Sequence, residues 1–129
     1  MSRYVLDASA LLSLTMDERG GDRVTRLLES GNCVMSAVNY AEVVAKLQEV
    51  GMQAPEIDAR IAGLRLTVQD FDREQGFNCG WLREKTRALG LSLGDRACLQ
   101  LASALSATAV TSDRVWEKLK IGVRIELLR

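Results

Sequence analysis

The chain of 129 residues is 47% hydrophobic and 26% charged, a balance that excludes disorder, and its formal net charge of zero gives no whole-molecule field for nucleic acid. It contains no histidine, which removes most zinc sites, Ser-His and Cys-His nucleophile systems and histidine general bases, and leaves acid–base or metal chemistry to Asp, Glu, Lys, Tyr, Ser and Thr. No apolar run approaches the ~20 residues needed to span a bilayer and no signal peptide opens the chain, so a single domain over residues 1–129, in the cytoplasm, is expected.

Tyr4-Val5-Leu6 suits a strand and runs directly into Asp7, after which Ala8–Leu14 starts as a helix. Asp17–Gly21 reads as a charged, glycine-rich loop, and Val24, Leu27 and Leu28 give Asp22–Glu29 helical spacing. Cys33-Val34-Met35 is a short buried strand, followed by Ser36 as an N-cap and Gly51 as a stop. Between them Tyr40, Val43, Val44, Leu47 and Val50 share one helical face, and Asn39, Glu42, Lys46 and Glu49 another. Pro55 opens a helix to about Ala62, and Leu64–Val68 alternates like a strand.

The stretch Phe71–Leu89 reads as one long helix, capped by Asp72, stopped by Gly90, with Phe77, Trp81 and Ala88 near one face. Gly76 and Gly80 cost it about 1 kcal/mol each relative to alanine, which close packing would explain. Ser92–Ala107 is the next helix, with Cys98, Leu101, Ala102 and Leu105 as its buried stripe. Thr108–Thr111 forms a strand, Asp113–Leu119 a helical turn, and Val123–Leu127 a last strand. Strands alternating with helices imply an α/β fold with a mainly parallel sheet covered on both faces. Cys33, Cys79 and Cys98 form no CxxC pair, and Cys98 reads as a small core residue.

Four carboxylates stand out, each with a plain alternative. Asp7 and Asp113 follow strands and would serve as helix N-caps. Glu42, four residues before Lys46, would make a surface ion pair worth about 0.3–0.5 kcal/mol. Ser92-Leu93-Gly94-Asp95 fits a capping box, yet Asp95 also lies on the line of Cys98 and Leu101. In a parallel sheet all four converge on the rim at the strands' C-terminal ends. Two carboxylates about 5 Å apart repel by about 3 kcal/mol at an effective dielectric of about 20. Such a cluster calls for a cation, and oxygen-only ligands favour hard Mg²⁺ or Mn²⁺.

Val5-Leu6-Asp7-Ala8-Ser9, Ser36-Ala37-Val38-Asn39-Tyr40-Ala41-Glu42, Gly90-Leu91-Ser92-Leu93-Gly94-Asp95 and Val110-Thr111-Ser112-Asp113 resemble the motifs of PIN-domain nucleases. In particular they resemble VapC-type toxins of type II toxin–antitoxin pairs, in order and spacing from Tyr4 to Leu127. The resemblance implies a PIN-like three-layer αβα fold, Mg²⁺- or Mn²⁺-dependent endoribonuclease activity, homodimerisation, and inhibition by a small cognate antitoxin. Asp7, Glu42, Asp95 and Asp113 match the acidic quartet that would be catalytic and metal-binding, with Asp7 and Asp95 as the main ligands. Thr111 matches the hydroxyl residue two before the last acid, and Ser9 lies where a small polar residue supports the first.

Arg83, Lys85, Arg87 and Arg96 flank the Asp95 motif, and Arg114, Lys118 and Lys120 follow Asp113, a basic rim suited to an RNA backbone. Two other readings compete. A receiver-like phosphoacceptor domain would need an acidic pair after the first strand and a lysine after a late one, which Val5-Leu6-Asp7 and Thr111-Ser112-Asp113 do not supply. A catalytically silent PIN-like binding module would keep the four acids as caps.

Overall fold

The structure, a computed structural model, describes residues 2–129. Strands β1 (Tyr4–Leu6), β2 (Cys33–Ser36), β3 (Leu66–Gln69), β4 (Thr108–Thr111) and β5 (Arg124–Leu127) form one sheet in the order β3-β2-β1-β4-β5. Every pairing is parallel, with Tyr4 beside Cys33 on one side and Thr108 on the other. The order runs outward from β1 in both directions, so the sheet reverses its winding between β1 and β4. In open α/β sheets ligands bind in the crevice beyond the strand ends at such a reversal.

Helices α1 (Ala8–Thr15), α2 (Gly21–Glu29), α3 (Ala37–Glu49), α4 (Ala54–Ala62), α5 (Arg73–Trp81), α6 (Arg83–Thr86) and α7 (Leu93–Leu105) flank the sheet, with 3-10 turns at Arg87–Leu89 and Arg114–Lys118. The two-residue period of the strands builds two cores. Leu6, Met35 and Val110 point to one face and pack with Ala10, Leu11, Val24, Leu27, Val43 and Leu47 of α1–α3. Their neighbours Val5 and Ala109 point to the other face, against Cys98, Leu99 and Ala102 of α7 and the fully buried Trp116. Because central β1 is covered on both sides, its run is continuously apolar rather than alternating. This is the three-layer αβα arrangement expected from the sequence.

The stretch expected as one helix over Phe71–Leu89 is instead divided at Leu82 and tightens into a 3-10 turn. Buried Thr86 bonds back to the Leu82 carbonyl through its hydroxyl at 2.8 Å as well as through its amide at 3.1 Å. Phe77 and Trp81 do share a face, stacked with centroids 5.9 Å apart, but that face is open to solvent. The expected close packing at Gly76 and Gly80 is absent: a Cβ on Gly80 would meet nothing within 4 Å, and one on Gly76 only Phe71, at 3.9 Å. Among the described residues, no helix is long and apolar enough to cross a membrane.

Candidate active site

Asp7 leaves the C-terminal end of β1 and caps α1. Its Oδ1 accepts from the Ala10 amide at 2.8 Å and from the Ser9 hydroxyl at 2.7 Å. Its Oδ2 accepts from the Thr111 hydroxyl at 2.5 Å, across the β1–β4 reversal. Ser9 Oγ in turn accepts from the Ser112 amide at 2.9 Å, and Thr111 Oγ1 from the Asp113 amide at 3.0 Å. Ser9 and Thr111 thus tie the Asp7 carboxylate to the end of β4.

An N-cap needs only one of these bonds. What capping does not explain is burial: Asp7 is 5% exposed, and among the described residues no ion pair involves it, Glu42, Asp95 or Asp113. Desolvation pushes its carboxyl up to about 6, against the hydroxyl and amide donors that pull it down, and the charge of Asp95 adds to the rise.

Asp95, half-buried in the first turn of α7, forms the expected capping box: its Oδ2 accepts from the Ser92 amide at 2.9 Å while Ser92 Oγ accepts from the Asp95 amide at 3.2 Å. One turn on lies buried Cys98, whose thiol is pushed well above its ordinary range by burial and further by the charges of Asp7, Asp95 and Glu42. Asp7 after β1, Glu42 of α3 and Asp95 of α7 thus all lie near enough to this thiol for their charges to act on it. Asp113 is joined to Thr111 only through its backbone amide, while its exposed carboxylate caps the 3-10 turn, Oδ1 accepting from the Val115 amide at 3.0 Å.

Glu42 does not form the surface pair that its spacing to Lys46 allows, since Lys46 turns to Glu49 at 3.7 Å. Its Oε1 instead accepts from Asn39 Nδ2 at 3.0 Å. Asn39, placed by periodicity on the polar face, is 1% exposed, and the same Nδ2 donates to the Gly94 carbonyl at 3.0 Å. Its Oδ1 has no partner, which costs about 1–3 kcal/mol for a buried acceptor. The one hint in the sequence was its place three residues before Glu42, on the same helical edge.

The donor chemistry suits a hard divalent cation: carboxylate oxygens only, on buried Asp7, half-buried Asp95 and exposed Glu42 and Asp113, none of them in an ion pair among the described residues. Among the described residues no three carboxylates or thiols stand close enough to encage an ion by themselves. A concavity of about 770 Å³ between α3 and α4, beside Tyr40, Val44, Met52 and Ile57, is lined by none of the four acids.

The basic residues divide. Arg83, Arg87 and Arg114 are exposed, Arg114 lying 3.5 Å from Glu117. Arg96 is not on the rim: it is 8% exposed and donates to the Cys79 carbonyl at 3.0 Å, joining α7 to α5. Arg96→Met is therefore expected to lower the melting temperature by several degrees, as read from a thermal melt by circular dichroism.

The sequence pattern of the PIN domain matches residues 4–122. No curated protein sequence matches closely enough to count as a relative. Solved structures share the fold: DNA-bound VapBC from Salmonella typhimurium has 22% identity and a TM-score of 0.75, covering 100% of both chains. VapBC2 from Rickettsia felis, bound to a promoter DNA fragment, has 21% identity and a TM-score of 0.71 over 95% of this chain and 96% of that one. VapBC-1 from nontypeable Haemophilus influenzae has 20% identity and a TM-score of 0.68 over 97% of each.

Proposed function

The chain belongs to the PIN domain family, and from that premise we propose that it is a Mg²⁺- or Mn²⁺-dependent endoribonuclease, the toxin of a VapBC-type toxin–antitoxin pair. The observation that carries the reading is Asp7, a buried carboxylate held by Ser9, Ala10 and Thr111, without a cationic partner among the described residues and close enough to Asp95 to feel its charge. A residue needed only as a cap gains nothing from having its charge buried without a cationic partner.

Asp7 and Asp95 would hold the ion, with Glu42 and Asp113 binding directly or through water. When bound, the ion supplies an acidified water and charge neutralisation at the scissile phosphate. The chain's own part is orientation. Ser9 and Thr111 fix both Asp7 oxygens, the capping box fixes the Asp95 rotamer, and exposed Arg83, Arg87 and Arg114 offer charge to the RNA backbone. The reading carries with it a single PIN domain over residues 1–129, a homodimer and a cytoplasmic setting, and a small antitoxin partner; of these, the VapBC complexes among the similar structures support the antitoxin partner.

The test incubates the purified chain with total cellular RNA. Discrete internal cuts are expected with Mn²⁺ or Mg²⁺, abolished by EDTA, reduced about 100-fold or more by Asp95→Asn, and silenced by a small antitoxin, which is expected to be encoded immediately upstream. Failure to cut any RNA with either metal would favour the partner-binding module instead.

A further inference from the structure

Glu42 and Asp95 come from different helices, so their separation depends on how α3 is held against the start of α7. We propose that Asn39 and Gly94 form a clamp that seats the Glu42 carboxylate on the first turn of α7 and thereby sets the affinity of the acidic rim for a divalent cation. The proposal rests on the metal-nuclease reading and adds two positioning residues to it.

Two independent features meet at Glu42. The Asn39 amide spends one N–H on Glu42 Oε1 and the other on the Gly94 carbonyl, both at 3.0 Å, while its Oδ1 stays buried and unpartnered. Flipping the amide would set Oδ1 against a carboxylate and a carbonyl, acceptor on acceptor, so chemistry fixes the orientation. Gly94 contributes by lacking a side chain. A Cβ there would lie 2.5 Å from Glu42 Oε2 and 2.6 Å from Glu42 Cδ, and Glu42 supplies all three of its nearest neighbours. Gly94 has no left-handed φ that would require glycine, being an ordinary helical residue. Its smallness serves the carboxylate rather than the backbone.

A glycine required by the backbone would weaken the fold when changed to alanine. A glycine kept for a neighbouring carboxylate should leave the fold intact, because alanine is the better helix former and the Glu42 side chain can swing away. The two roles therefore predict opposite patterns.

The experiment titrates Mn²⁺ into the full metal-free chain, reads free Mn²⁺ by electron paramagnetic resonance, and takes a thermal melt of each variant. Wild type is expected to bind. Gly94→Ala should bind about 10-fold more weakly while melting at the same or a higher temperature, and Asn39→Leu should lose about 10-fold as well. In a Glu42→Ala background neither change should alter the remaining affinity, since the carboxylate they position is gone. Unchanged affinity in Gly94→Ala, or the same 10-fold loss with Glu42 absent, overturns the clamp. If Asn39→Leu does not fold, Gly94→Ala decides alone. Wild type that binds no Mn²⁺ overturns the metal-nuclease reading and the clamp together, whereas wild type that binds Mn²⁺ and cuts RNA beside unaltered Gly94→Ala overturns the clamp only.

Discussion

Asp7→Asn is expected to melt at a higher temperature than wild type in EDTA at pH 8, and to cut no RNA. The stability gain follows from the direction in which burial moves Asp7. Its folded carboxyl is raised from 3.8 to about 6, so the folded state favours the protonated form. The stabilisation that comes with protonation is complete below about pH 4 and is lost as pH rises through 6. Above that, the fold carries an ionised buried group at a cost of roughly 3 kcal/mol, since each tenfold change in proton affinity is worth about 1.4 kcal/mol.

Asparagine removes the charge and keeps the bonds. Its oxygen can accept from the Ala10 amide and the Ser9 hydroxyl, and its NH₂ can donate to Thr111 Oγ1, whose proton can turn to Ser9 Oγ, 3.4 Å away. A gain of roughly 5–10 °C at pH 8, shrinking to little at pH 4, is the expected thermal signature. Mn²⁺ should reverse the ranking, because ligand binding stabilises only the chain that binds it. Cleavage should fall at least about 1,000-fold, equivalent to roughly 4 kcal/mol of transition-state stabilisation. An Asp7→Asn chain that melts lower than wild type at pH 8 without metal would make Asp7 a structural cap and sink the site.

The contrast between Asp7 and Asn39 shows where the sequence was legible. Asp7 could be placed because an apolar run, a carboxylate and a helix start are contiguous, and strand winding then carries them to the sheet's rim. Ser9 and Thr111 were legible for the same reason, each within two residues of an acid. Asn39 was misplaced on the polar face, since periodicity records which side of α3 a residue occupies but not that α7 covers that side. Arg96 failed likewise: a charge at the start of a helix reads as solvated until α5 is seen to supply a carbonyl for it. The exposure of Phe77 and Trp81 depends on which face of α5 meets α7, a tertiary fact with no local signature.

Gly21→Ala is expected to destabilise the chain more than any other single methyl added at a glycine with ordinary helical φ. The sequence presents Gly20-Gly21 as a loose loop, yet Gly21 is buried as the first residue of α2, pressed on the last turn of α1. A Cβ there would lie 2.6 Å from the Ser13 carbonyl oxygen and 3.2 Å from Leu14 Cα. These are backbone atoms, unlike the mobile carboxylate above Gly94, and the Ser13 carbonyl already accepts from the Glu18 amide at 2.7 Å. The methyl must push α2 away, loosening Val24, Leu27 and Leu28 from Ala10 and Leu11. Overpacking of this kind costs about 1–3 kcal/mol, and a clash with rigid backbone belongs at the upper end. A fall of roughly 6–12 °C in melting temperature is expected. Because α1 begins at Asp7, the same variant should bind Mn²⁺ more weakly even below its melting point, the reverse pairing to Gly94→Ala, which loses the metal but not the fold. A melt within about 2 °C of wild type, by circular dichroism, would show that the two helices can part without cost and that α2 does not hold α1 in place.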